Sequence, residues 1–149
     1  MDIVRPRKFE FAVLVAIIGI LAVILMSALE RARENLEEAA VQSEAAAIRV
    51  ELLEWLAHRE IVGGKLPESR NPVRWIARQP ENYLGELDAA PKERGVWYFD
   101  TRRQELVYRF RFTREARFRL VRGVEAASVP GSFAGVGLRR VEVIAENVK

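Results

Sequence analysis

The sequence has no cysteine. That removes disulfide staples, thiolate metal sites and thiol nucleophiles together, so any domain it builds is held by burial alone. Histidine is nearly as scarce. His58 stands alone, which excludes a multi-histidine metal site and a serine–histidine hydrolase. It sits near a helix end among charges, where an imidazole is more often solvated than catalytic. An excess of one charge is missing too: 24 basic residues against 21 acidic ones leave +3, which demands no acidic partner. There is no glycine-rich phosphate cradle, no carboxylate pair in an apolar setting, no nucleophile elbow and no metal-ligand spacing. Gly131, Gly135 and Gly137 do not follow a strand into a helix, so they form no dinucleotide fingerprint. These absences point to a non-enzymatic chain with no cofactor and no small-molecule substrate.

What is present begins with a long apolar run. From Phe11 to Leu29 no residue is charged, and at 1.5 Å per residue the run makes about 28 Å of helix, enough to cross the hydrocarbon core of a bilayer. A secretory signal peptide has a shorter apolar region and a break after it, whereas here the helix pattern continues. Residues 9–29 are therefore expected to be a transmembrane helix, preceded by a basic tail at residues 1–8. Arg5, Arg7 and Lys8 crowd that tail. The far flank, Glu30 to Glu38, mixes arginines with glutamates, so the positive-inside bias puts the N-terminus in the cytoplasm. Glu10 is the exception within this pattern, a carboxylate at the edge of the apolar run that must stay at the headgroups, pair with Arg7 or Lys8, or meet another partner.

Glu10, the apolar residues after it and the segment AIIGILA (Ala16 to Ala22) together resemble the N-terminal segment of type IV pilins and of the pseudopilins of type II secretion. The resemblance covers about twenty-five residues. It implies a bacterial inner-membrane protein with a periplasmic C-terminal domain, whose partners are membrane lipid and other pilin-like or secretion-system subunits, further copies of itself included. In that family a leader peptide ends in glycine, a prepilin peptidase cuts after it, and a glutamate a few residues on guides subunits into a filament. Alignment on AIIGILA puts Glu10 on that glutamate, Pro6 on the residue after the cut and Arg5 on the glycine. No glycine precedes Gly19, so the leader is expected to remain and the mature chain to begin at Met1 or Asp2. The rival class is a bitopic accessory protein that binds another envelope component without entering a filament.

Residues 30–62 are rich in Ala, Leu, Glu and Arg and have neither glycine nor proline, a composition that favours continued helix. Leu29, Leu36, Ser43 and Val50 fall seven apart, and Ala32, Ala39, Ala46 and Leu53 form a companion seam. Ala39, Ala46 and Leu53 are accordingly expected to pack on the domain's own sheet or on neighbouring helices. On that expectation Ala46→Glu is disruptive and Glu44→Ala, on a more exposed side, is mild. Gly63-Gly64 ends the helix.

The remaining residues, 63–149, are expected to form a small α+β domain, with the long helix packed on an antiparallel sheet of about four strands. Residues 65–95 read as loop, with one short helix capped by Asn71 and started at Pro72. Trp75 and Tyr83 are read as rings that seal the core where helix meets sheet. VWYFD, ELVYRFRF and RFRLVR alternate as a three-stranded meander, and Val141 and Val143 mark a fourth strand after a glycine-rich loop at 123–137. In the meander Leu106, Tyr108, Phe110, Phe112, Phe118 and Leu120 share the apolar face, while Val107, Arg109, Arg111, Arg117, Arg119 and Val121 take the other. No aromatic of the second and third strands interleaves with these arginines for base stacking, so nucleic acid is not expected as a partner.

Overall fold

A computed structural model describes residues 7–112 and 114–141. Arg5, Pro6 and Val143 lie outside the described residues, as do the rest of residues 1–6 and the end of the fourth strand, whereas Arg7 and Lys8 of the expected tail already belong to a helix. The chain divides into two compact units, one ending at Ala40 and one starting at Val41.

In the first unit every described residue belongs to helix α1, Arg7–Val62. The apolar side chains of its first turns are exposed. Phe11 is 68 % exposed, and Ile20, Val23, Leu25 and Met26 are similarly open. Ser27 Oγ donates to the Ile24 carbonyl at 2.8 Å, which satisfies the one hydroxyl of this stretch within the helix itself.

The second unit holds the final turns of α1 and an α+β arrangement built on one sheet. Val41, Ala45, Ile48, Leu52 and Leu56 are the buried residues of α1. Their steps of four, three, four and four keep them on one stripe of a 3.6-residue helix. That stripe packs with Trp97, Phe99, Leu106, Phe110, Ala116, Phe118, Leu120, Val136 and Leu138 of the sheet in one core. Full burial of a side chain such as Leu52 or Leu56 stabilises by roughly 1.5–3 kcal/mol. The helix stops as expected: Gly63 takes φ 81 and its N–H donates to the Arg59 carbonyl at 2.7 Å, a left-handed cap that suits glycine.

The sheet has five strands, β1 Tyr83–Leu87, β2 Val96–Asp100, β3 Glu105–Arg109, β4 Glu115–Arg122 and β5 Val136–Val141, in the order β1-β2-β3-β4-β5. Strands β2 to β5 are antiparallel neighbours, as the meander required. Strand β1 corrects two expectations at once, since residues 65–95 are not all loop and the sheet is mixed: β1 runs parallel to β2. Its sequence, YLGEL, hides it. Gly85 (φ 98) interrupts the alternation, and the pairing slips between Tyr83 and Glu86, as at a bulge. The edge position leaves β1 only half-buried on alternate residues. Residues 88–95 return alongside without a helix, which is feasible because eight extended residues reach about 26 Å and a five-residue strand spans about 17 Å.

The segment read as a glycine-rich loop carries a 3-10 helix, η2, Gly123–Ser128, and then leads into β5 through a Phe133–Val136 bridge. Gly137 is needed there because a Cβ would stand 3.0 Å from the Ser132 Cβ and 3.3 Å from Val129. The short helix expected after Asn71 is present as a 3-10 turn, η1, Pro72–Arg74, with Asn71 Oδ1 accepting from the Val73 N–H at 3.0 Å. Trp75 is 3 % exposed and belongs to the core, with Tyr83 packed against it. Both rings therefore do what the sequence suggested. Trp55 joins them, its ring 5.2 Å from that of Trp75.

Candidate functional site

The most prominent feature is the exposed apolar part of α1. It is the one candidate membrane span among the described residues, and none of its most apolar window is buried within the chain. Water does not tolerate that much contiguous aliphatic surface, so a lipid or protein environment must cover it. Arg7, Lys8 and Glu10 lie in the first turn, all exposed, with the carboxylate at the apolar boundary.

The residues expected to pack along the helix behave differently from the ones that do. Ala39 and Ala46 are exposed and Leu53 is only half-buried, so they do not form the seam against the sheet; Val41, Ala45, Ile48, Leu52 and Leu56 do. The buried stripe is spaced by sevens as well, Val41 to Ile48 and Ala45 to Leu52, but it runs along a different face of the helix from Ala39, Ala46 and Leu53, which leaves neighbouring helices as the contact expected of that seam. Ala39 and Ala46 are left on the open side.

Glu44 reverses its expected role. Its carboxylate accepts from the indole N–H of Trp97 at 2.7 Å and from the Glu81 N–H at 2.8 Å, and Trp97 is wholly buried. A buried indole donor needs an acceptor. Glu44 provides it from the edge of the buried stripe, three residues after Val41 and four before Ile48.

The face of the sheet that carries arginine is equally altered by the fold. Asp100 and Glu105 stand directly opposite each other on β2 and β3, a like-charge pairing that is unfavourable alone. Arg117 of β4 resolves it. Its guanidinium lies 3.7 Å from Asp100, 3.3 Å from Glu105 and 2.6 Å from Glu115, while Arg119 reaches Glu105 at 2.5 Å. Burial alone would lower the Arg117 pKa, but Glu115 and Glu105 outweigh it and hold the group above its ordinary value. Val107 and Val121 are buried on this face. It is thus an ion-pair lattice over apolar residues.

No protein-family model, characterised protein or solved structure matches this chain.

A third polar cluster ties the 65–95 segment to β1. Asn71 is buried and spends its amide on both the Tyr83 hydroxyl, at 2.8 Å, and the Glu86 carboxylate, at 2.9 Å, while its oxygen caps η1. Arg74 pairs with the same Glu86 at 2.7 Å. Burial pushes the Tyr83 phenol above its usual pKa, and the Asn71 bond only partly offsets it. Nearby, Arg122 donates to the carbonyls of Pro67 and Ser69, both at 2.8 Å, and lies 4.9 Å above the Trp75 ring. None of this was legible in the sequence beyond the Asn71 cap, since each bond joins residues separated by at least twelve positions. Among the described residues, no cluster of three or more His, Asp or Glu side chains is arranged to hold a metal.

Proposed function

We propose that the chain is a non-enzymatic, single-pass membrane subunit of a pilin-like or pseudopilin-like assembly, of the kind found in type IV pili and type II secretion. The N-terminus faces the cytoplasm and the α+β domain the periplasm. The observation that carries this reading is the fully exposed apolar stretch at the start of a helix whose last turns pack on a sheet. Support also comes from Glu10 at the boundary of that stretch, where the resemblance puts the residue that orders subunits. A buried carboxylate is tolerable only with a cationic partner. With Arg5 in place of the family's glycine, Arg7 or Lys8 of a neighbouring subunit supplies that charge, and the open side of the helix, with Ala39 and Ala46, admits close approach of another helix.

The missing glycine favours a second reading, a bitopic accessory protein that binds an envelope component from the membrane. Drawing an uncut basic tail through a bilayer costs several kcal/mol, which keeps such a chain in the membrane. Purification of native complexes from mildly solubilised membranes separates the two. Co-purifying pilin-like subunits, lost on Glu10→Ala while membrane insertion is retained, are expected; a Glu10→Ala variant that brings down the same partners would reduce Glu10 to an interfacial residue. Intact-mass measurement in a host with an active prepilin peptidase tests the leader. A species starting at Pro6 or Phe9 would show that Arg5 or Lys8 is accepted at the cut and would restore an ordinary filament subunit.

A further inference from the structure

Beside the turn between β2 and β3 and the start of η2 lies a groove of about 640 Å³, lined by Arg70, Arg103, Arg119, Arg122, Gln104, Glu125 and the apolar Leu120, Val121 and Val124. Four arginines line it against one glutamate. Arg119 is already committed to Glu105. Arg122 is held by two backbone carbonyls, which accept its hydrogen bonds without cancelling its charge, and its Nε is buried with no acceptor. Arg70 and Arg103 are exposed, and among the described residues neither guanidinium has an ion pair or hydrogen bond. Like charges gathered without counter-charge repel, and burial together with Arg70 lowers the Arg122 pKa from its ordinary value.

The elements that bring these cations together are tightly specified. Asp100 Oδ1 accepts from the N–H groups of Arg102 and Arg103 at 3.0 and 3.1 Å, which sets the turn that carries Arg103. Gln104 completes it at φ 55, an uncommon conformation for a residue with a side chain. Arg119 and Arg122 project from β4, and Arg70 comes from the stretch whose Ser69 carbonyl Arg122 holds. The volume falls within the range of small-molecule sites, which are commonly 300–1,000 Å³, and the walls lack the aromatic platforms of a nucleic-acid groove.

We infer that this groove binds a phosphate-bearing ligand, the guanidinium forks of Arg70 and Arg103 taking the phosphate oxygens, the charge of Arg122, fixed by its two carbonyl partners, adding attraction, and the exposed Val124 meeting an apolar portion. Planar forks match phosphate oxygens bidentately. A single carboxylate would saturate on one fork and leave the others facing each other, which favours phosphate over an acidic side chain. The ligand is a free phosphate ester or the headgroup of a phospholipid; both present the same chemistry. The inference is independent of the filament reading, because the groove lies wholly within the second unit.

Calorimetric titration of the full chain in phosphatidylcholine nanodiscs with inorganic pyrophosphate tests it. Saturable binding is expected, weakened at least about tenfold by the double substitution Arg70→Gln, Arg103→Gln and unchanged by Arg78→Gln, an exposed arginine outside the groove. Near-ultraviolet circular dichroism of the double variant, expected to match the parent, separates lost binding from lost folding. No binding by the parent, equal binding by the double variant, or citrate binding as tightly as pyrophosphate would overturn the assignment. Native mass spectrometry from discs containing anionic phospholipid distinguishes the sources. A lipid retained by the parent and lost from the double variant marks a headgroup, and pyrophosphate affinity with no such lipid marks a free ester.

Discussion

Replacing Glu44 by alanine is expected to destabilise the second unit, although a glutamate on an alanine-rich helix looks like solvated surface. The carboxylate accepts from Trp97 Nε1 at 2.7 Å, and Trp97 is completely buried, so its N–H has no water to turn to when the acceptor is removed. A hydrogen bond to a charged group contributes about 1.5–3 kcal/mol, and an orphaned buried donor costs about 1–3 kcal/mol. These are overlapping accounts of one loss, which puts Glu44→Ala at about 1.5–3 kcal/mol. The Glu81 N–H adds little because that residue is exposed and water can replace the carboxylate. For a unit of roughly a hundred residues the loss corresponds to a fall in Tm of about 10–20 °C. Glu44→Gln keeps a carbonyl acceptor and should cost about 1 kcal/mol. Ala46→Glu places its new charge on an exposed position and should stay within about 0.5 kcal/mol, while still lowering the yield of any complex that uses the open side of the helix. The assay is thermal unfolding of the full chain in detergent, followed by the near-ultraviolet signal of its tryptophans. In a double-mutant cycle, Trp97→Phe removes the donor, and Glu44 and Trp97 should couple by about 1–2 kcal/mol. Equal shifts for Glu44→Ala and Ala46→Glu, or zero coupling in the cycle, would refute the reasoning.

Asn71→Ala removes the η1 cap and the amide that joins Tyr83 to Glu86 in one step, so a loss of about 2–3 kcal/mol and faster amide exchange in β1 are expected, with protection in β3 unchanged; exchange that is uniform across the sheet would contradict this. Arg117→Met leaves Asp100 and the buried Glu105 facing each other with only Arg119 to compensate, and should cost about 3–5 kcal/mol at neutral pH. Adding Glu105→Gln to the Arg117→Met chain should recover part of that loss, and no recovery would point to packing alone. Burial raises the pKa of both Tyr83 and Tyr98. The folded chain therefore holds these protons longer than the unfolded one, and the stability this contributes is complete below about pH 10 and lost as pH rises through the folded values. The difference in phenolate absorbance between the parent and a Tyr83→Phe, Tyr98→Phe double variant should titrate above pH 10, and a difference that titrates near pH 10 would be the contrary result.

Much of the architecture is written locally in the sequence. An uninterrupted uncharged run, then a stretch without glycine or proline, then Gly63-Gly64, dictates where α1 runs and where it stops, because propensity and capping act within a few residues. The apolar run VWYFD and the alternation in ELVYR and RFRLVR likewise mark β2 to β4, although β2 buries both of its faces. What depended on the tertiary structure was which partner each side chain meets. Strand β1 exists because Asn82, Tyr83 and Leu87 find the edge of β2, an option that the bulged YLGEL cannot announce. Glu44 matters because the fold brings a tryptophan from fifty-three residues away. Among the arginines of β4, Arg117 and Arg119 joined an ion-pair lattice, while Arg122 found two carbonyls and lines a groove with Arg70 and Arg103. Their sequence positions set only the face and register; whether a carboxylate stands opposite is decided by strands and loops that pair at long range.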